Sequence, residues 1–512
     1  MNKVLLFLVV IVFFTNLFSQ SVQEQWVNTV AEDGGRKVLL DNNNNIYILT
    51  VYFSIFKYNS AGELLWTTQY ENAYGAVDCK LDQNDNLYVT GLKYNESNFL
   101  DMITISYSSE GDILWERIYE TLEWVDNISP ISLEIDNIDD IIILASLSNN
   151  TPSDFYKKGL IIKYNSIGTQ LWETFIEPIT DNWSQPCGIK TDIFRNIYIV
   201  GEDGHGPGFI DMTSLYIIKL NNSGQLQWQQ TYEANQFGCS LALTNQEDGI
   251  FVTALNSYES FRYLVVLKYS ADGELLWNQI KQTWAWVRKV SVDSEDNLII
   301  ASFGTSENDI FKFDEDGEEI WEIVSEVAPK DLIIDQNDFF YITGKSNNDC
   351  ATVKFDSAGN QEWIVYYNSL ENLSDGGNSI VLDNTDNFYV VGYSTIDNLY
   401  NTCITIKYSE ITNYNSNLLP KSYNEIYVYP NPFNPSTTIN FEIIKPGNID
   451  VNIYNIKGQQ IKQLLNGCVQ KGLHNIIWNG KNDSGFEVSS GQYFVNLKQN
   501  DNSVATKMLL QK

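Results

Sequence analysis

Apolar and polar residues alternate along most of this chain in short runs of period two, the pattern of half-buried strands. Runs such as NIYILT, NLYVTG and NLIIAS each follow a polar turn rich in Asn and Asp, as in LDNNNN, LDQNDN and VDSEDN. Asn and Asp side chains accept main-chain hydrogen bonds and tolerate positive φ, so these turns close tight hairpins. Eight such turn-plus-strand segments begin at 40, 81, 135, 191, 244, 292, 334 and 382. A variable loop follows each, then an apolar strand of the type LIIKYNS, and in the first seven a strand introduced by G-x-x-x-W. The pattern predicts an all-β chain built from one repeated antiparallel unit.

The Trp anchors set the period. Gly62/Trp66, Gly111/Trp115, Gly168/Trp172, Gly224/Trp228, Gly273/Trp277, Gly317/Trp321 and Gly359/Trp363 share the form, and Trp26 stands alone before them. Successive Trp residues lie 40, 49, 57, 56, 49, 44 and 42 residues apart, the length of a four-stranded propeller blade. Each indole is expected between blades, where burial is worth about 2–3 kcal/mol. Seven complete units fit between 36 and 368, and an eighth, starting near Ile380, lacks its Trp strand. The Trp26 strand supplies it. The expectation is an eight-bladed β-propeller closed by the N-terminal strand, with seven blades as the alternative, because closure removes free sheet edges.

The propeller portion is 21–410, and over about 22–408 it resembles the secreted β-propeller repeat family, whose units carry D-x-x-x-N-x-Y-V-x-G and K-Y-x-x-x-G-x-x-x-W. The G-x-x-x-W element is also similar to the tryptophan-docking motif of eight-bladed quinoprotein dehydrogenases and outer-membrane assembly propellers. Residues 411–424 are polar and turn-prone, a linker. The tail then changes character. Tyr429-Pro430-Asn431-Pro432-Phe433 is followed by Tyr454, Asn455, Gly458, Gly472, His474, Trp478, Gly480, Gly485, Ser490, Gly491, Tyr493, Phe494 and a closing KMLLQK. Residues 425–512 therefore resemble the C-terminal sorting domain of type IX secretion substrates. That resemblance implies a small Ig-like β-sandwich and, as partner, the type IX secretion machinery.

Residues 1–20 carry Lys3, a long apolar run and a small-residue exit near Ser19, the features of a signal peptide. No later stretch reaches the ~18 apolar residues of a membrane span, so no transmembrane segment is expected. The chain is expected to be secreted, extracellular or on the outer cell surface. Its net charge of -33 argues against nucleic acid, which is bound by Lys and Arg. The tail carries net +2 and the leader +1, so 21–424 carries -36. Six widely spaced cysteines form neither a disulfide framework nor a zinc site, and Cys79 and Cys239 read as small core residues.

Catalytic chemistry finds little support. His474 falls on the tail motif, and His205, near Asp203 and Asp211, is a weak metal candidate, so neither a catalytic nor a metal site is assigned. The Asp/Asn turns lack the order of a Ca²⁺ loop. No cofactor is expected, since the adjacent cysteines of the quinoprotein family and any Gly-rich nucleotide loop are missing. The lysine recurring in the KY strand is expected to have a partner within its own blade. Variable loops and blade crossings share one face, and the crossings bring Tyr74, Trp124, Trp183, Phe237 and Trp286 towards the channel mouth. These five are the candidate ligand-binding residues, a platform for a glycan or a protein; packing between blades is the alternative. The leading expectation is a non-enzymatic surface binding protein. A polysaccharide lyase or hydrolase at the channel mouth and a structural surface-layer component are the rivals.

Overall fold

The computed structural model describes residues 22–510 except 31–33, 121–124, 126, 152–153, 178–182, 205–212, 234–235, 247, 259–260, 284, 305–307, 370–372, 386, 397–399, 411–425, 430–432, 444–446, 470–471 and 500–501. Contacts divide the chain into two compact units, with the division between Ile411 and Thr412.

The first unit is an eight-bladed β-propeller. Seven blades are consecutive four-stranded antiparallel meanders: 35–69, 73–119, 127–176, 183–233, 236–283, 285–325 and 328–367. The eighth takes three strands, Asp375–Leu382, Asn387–Ile396 and Tyr400–Glu410, and its outer strand is the N-terminal Val22–Val30. That strand runs antiparallel to the last one, with Trp26 opposite Lys407. The first strand of every blade touches those of both neighbours, and blade 8 meets blade 1, so the ring closes as the repeat count requires.

Turn chemistry explains why the unit recurs. Asp41 Oδ1 accepts from the amides of Asn43 and Asn45 at 2.9 and 2.8 Å, and its Oδ2 accepts from Asn45 Nδ2 at 2.8 Å. Asn44 then turns the chain at φ 58°. The same Asp-to-Asn clasp closes the turns at Asp82, Asp192, Asp293 and Asp383. Burial alone would raise the Asp293 carboxyl, but Lys312 and Asn297 outweigh it and hold its pKa low. The left-handed residue also serves the ring. Asp85 and Asp338, at φ 62° and 61°, accept amide protons from Asn42 and Ser294 of the preceding blades at 3.1 and 2.8 Å.

Tryptophan docking joins the blades at their outer edge. Trp115 Nε1 donates to the Ser166 carbonyl of the next blade at 2.9 Å, and its ring lies against Gly168. Trp26, Trp66, Trp172, Trp228, Trp277 and Trp321 each dock on the glycine turn of the following blade in the same way. The recurrent lysine takes part. Lys57, Lys163 and Lys312 pair with Asp41, Asp136 and Asp293 of their own blades at 3.1, 2.7 and 2.8 Å. Lys57, Lys219, Lys268 and Lys312 also donate to a turn carbonyl of the next blade at 2.8 to 3.1 Å. Lys354 departs from the pattern and reaches Glu410 in blade 8 at 2.8 Å.

The second unit is an Ig-like β-sandwich. A sheet of Ile426–Tyr429, Thr437–Ile443 and Gly472–Trp478 faces one of Gly447–Asn455, Gln460–Val469, Gly491–Gln499 and Asn502–Leu510. Phe433, Phe441, Val451, Trp478, Val495 and Met508 fill its core. His474 stacks on Phe441 with ring centroids 5.6 Å apart, and Cys468 is exposed on an edge strand.

Candidate functional site: the channel and its loop-rich mouth

The innermost strand of each blade runs from the loop-rich face towards the Asp turn. It carries a register shift in every blade, between Gln236 and Cys239 in blade 5 and as a bulged residue in the other seven, at Arg36, Val77, Ile131, Cys187, Arg288, Lys330 and Asn378. Each bulged residue stands five positions before its turn Asp, so the seven occupy one level of the ring. A bulge bends the strand and re-aims a side chain. Arg36 Nε donates to the Val77 carbonyl at 2.8 Å, and Asn378 Nδ2 donates to the Gly35 carbonyl at 2.8 Å.

A cavity of about 670 Å³ opens between the inner strands of blades 3 to 7, bordered by Ile131, Cys187, Cys239, Lys190, Arg288 and Lys289 among others. Its volume lies within the range of small-molecule sites. Deeper in the channel, charges pair across blades. Glu134 receives Lys80 at 2.5 Å and Lys190 at 2.9 Å, Lys289 meets Asp331 at 3.1 Å, and Lys37 contacts Asp78. Burial alone would raise the Glu134 carboxyl, but the two ammonium groups hold it below the usual range.

At the bulge level the balance differs. Among the described residues, Arg36, Arg288 and Lys330 have no carboxylate within ion-pair distance, and all three are exposed. Burial, and after it the Arg288 guanidinium, pushes the Lys330 pKa down.

The mouth places the sequence-predicted aromatics unequally. Trp286, half-buried near the start of its inner strand, stacks with Phe303 at 6.2 Å, and the Arg262 guanidinium of the neighbouring blade lies 4.0 Å over its ring. Arg288, two residues on, lies 5.3 Å from the same Phe303 ring. Tyr74 is 48% exposed and meets Tyr94, 42% exposed, edge-on at 5.3 Å. Trp183 opens the inner strand Trp183–Thr191, and Phe237 lies in Gln236–Leu243; the placement of their side chains is outside the described residues, as is all of Trp124. His205 and Asp211 also lie outside them. The structure thus describes two separate aromatic pairs on the loop-rich side, one in blade 2 and one in blade 6.

Cys239, expected as a small core residue, instead forms a disulfide with Cys187 across blades 4 and 5, their Cα atoms 5.8 Å apart. The two lie 52 residues apart in sequence and meet only because adjacent inner strands align. Glu202 lies close enough to complete a three-donor cluster with them, but paired sulfurs leave no thiolate for a metal. Cys79, by contrast, is a buried core residue. The cationic bulge residues escaped sequence reasoning; their signal was a basic residue five positions before the Asp turn in three of the repeats.

Comparison with known proteins adds the following. Residues 433–503 match the FlgD Ig-like domain. No curated protein matches the chain. Among solved structures it is similar to BamB from Moraxella catarrhalis at 11% identity, with 76% of this chain and 99% of that chain covered and a TM-score of 0.46. The C-terminal WD40 domain of Sif2 is similar at 8% identity, with 75% and 97% covered and a TM-score of 0.49. PorZ, a surface component of the type-IX secretion system of Porphyromonas gingivalis, is similar at 10% identity, with 94% and 87% covered and a TM-score of 0.24.

Proposed function

We propose that this protein is a secreted or surface-attached binding protein, exported by type IX secretion, whose propeller recognises a glycan or protein on its loop-rich face. The apolar leader 1–20 and the motif-bearing tail 425–512, as sorting domain after a 411–424 linker, support the route. One observation carries the binding role: the contiguous strip of Arg262, Trp286, Phe303 and Arg288 at the channel mouth. Stacked aromatics bordered by guanidinium groups offer large contact area with little side-chain freedom to lose, a composition that binding sites favour. The Tyr74–Tyr94 pair extends the same chemistry to a second blade.

A glycan array probed with the full chain, beside a Trp286→Ala/Tyr74→Ala variant, tests this. The expected result is a glycan hit that weakens about tenfold or more in the variant, the scale of losing an aromatic anchor worth at least ~1.4 kcal/mol. Circular dichroism unchanged between the two chains is the folding control. A hit indifferent to both residues would move the site elsewhere. Silence on the array would turn the reading towards a protein ligand or a structural role in a surface layer.

A further inference from the structure

The bulge level of the channel is divided. Blades 6, 7, 8 and 1, consecutive around the ring, contribute Arg288, Lys330, Asn378 and Arg36. Opposite them stand Val77, Ile131 and the Cys187–Cys239 disulfide of blades 2 to 5. One half of the ring donates hydrogen bonds and carries positive charge; the other presents two apolar side chains and the disulfide, with the Glu202 carboxylate 4.0 Å from Cys187 Sγ.

We propose that this level binds the acidic end of a carboxylate-bearing saccharide, with Arg288 and Lys330 receiving the anion and the Ile131/disulfide wall facing its apolar side. The proposal rests on the glycan reading above and narrows it to a chemical class. Three arguments carry it.

First, the like charges. Among the described residues Arg288 and Lys330, on adjacent inner strands, have no acidic partner, although the channel supplies one to Lys37, Lys80, Lys190 and Lys289. Juxtaposed cations repel, and an anion between them relieves that repulsion while forming charge-assisted hydrogen bonds. Arginine adds a planar fork suited to a carboxylate.

Second, the contrast with the rest of the molecule. The chain carries net -33, and a long polyanion laid along such an exterior is repelled. Salt screens that field beyond ~8 Å at physiological ionic strength, whereas groups in contact inside the channel are screened far less. The selected ligand therefore presents its charge at a terminus that enters the mouth.

Third, shape. A uronic acid ring has a carboxylate on one edge and C–H bonds on its faces. The Phe303 and Trp286 rings lie beside the Arg288 guanidinium and match that division. A flexible acidic peptide lacks such a rigid face and loses more freedom on binding.

Calorimetric titration of the full chain with trigalacturonate, its methyl ester and triglutamate decides the matter. Trigalacturonate is expected to bind. Its ester, and the Arg288→Gln and Lys330→Gln variants with the acid, should each lose about tenfold, the scale of one charge-assisted hydrogen bond. Both side chains are exposed, so unchanged unfolding midpoints are expected to accompany the loss. Equal binding of acid and ester, unaffected by the variants, would overturn the cationic site and leave the glycan reading standing. Preference for triglutamate would replace the saccharide by an acidic peptide. Binding of none of the three, with a neutral hit on the array, would overturn this proposal alone; silence in both experiments would overturn both.

Discussion

At the scale of single residues, glycine and tryptophan divide one task. Gly168 has φ +78°, and a Cβ there would lie 2.6 Å from the Trp115 ring. That ring cannot move freely, because its Nε1 is fixed to the Ser166 carbonyl. Gly34 has a comparable φ of +63°, but its nearest neighbour would be 3.6 Å away, ordinary contact. The pair separates backbone strain from collision. Gly34→Ala is expected to cost about 1–2 kcal/mol for the left-handed backbone alone. Gly168→Ala adds about 1–3 kcal/mol of overpacking to the same strain. Urea midpoints for the propeller transition measure both, and equal losses would refute the account of Trp docking as a steric fit. The turn glycine and the inter-blade Trp were legible in the sequence, since every G-x-x-x-W carries both; that each ring docks on the glycine of the following repeat, as Trp115 does on Gly168, depends on how the blades stack. The residues of the mouth were not. Arg36, Arg288 and Lys330 belong to distant repeats and share only their offset from the Asp turn, which becomes a spatial level once the bulge fixes register.

Among the elements, the seam in blade 8 is where the repeat breaks its own rule. Trp363 is 3% exposed and stacks on Phe388 at 5.1 Å, yet its Nε1 has no hydrogen-bond partner among the described residues. Each earlier anchor meets a glycine hairpin in the next blade. Blade 8 has none, because its third and fourth strands come from opposite ends of the chain, with Val22 beside Glu410. Lys354 and Tyr341 turn to the Glu410 carboxylate instead, at 2.8 and 2.7 Å. Trp26 repeats the docking on the other side of the seam, with its ring against Gly62. The lone Trp26 strand announced this closure in the sequence; the orphaned indole donor it leaves behind could not be read there, because it depends on which turn is missing. Trp115→Phe and Trp363→Phe remove similar volume from similarly buried sites. The first also removes a 2.9 Å hydrogen bond, so it should cost about 1 kcal/mol more. Chemical denaturation of the two variants checks the order, and a larger loss at Trp363 would mean that its indole nitrogen has an acceptor in solution.

For the whole molecule, the question is how a ring of eight similar blades resists opening. Among the described residues, seven interfaces share a docked Trp, five of these add a lysine bond to a backbone carbonyl of the next blade, and the interface between blades 7 and 8 uses the Lys354–Glu410 pair instead, so the load is spread around the ring. The seam is closed by strand pairing, and among the described residues no disulfide crosses it. The Cys187–Cys239 disulfide joins blades 4 and 5, across the ring from blade 8. A ring that frays at the seam is therefore still held at the opposite side. The bond closes a loop of sequence separation 52, and restricting the unfolded chain to that extent stabilises by about 4 kcal/mol in the chain-entropy account. Cys187→Ser/Cys239→Ser is accordingly expected to lower propeller stability by up to about 4 kcal/mol. A reductant should produce the same shift in the parent chain and none in the variant. The remaining described thiols cannot account for such an effect: Cys79, Cys350 and Cys403 are buried cysteines outside the disulfide, and Cys468 lies in the other unit. Denaturation followed by tryptophan fluorescence, with and without reductant, makes the comparison. If reductant leaves the parent chain unchanged, the two sulfurs are unbonded in solution, and the ring is held by its repeats alone.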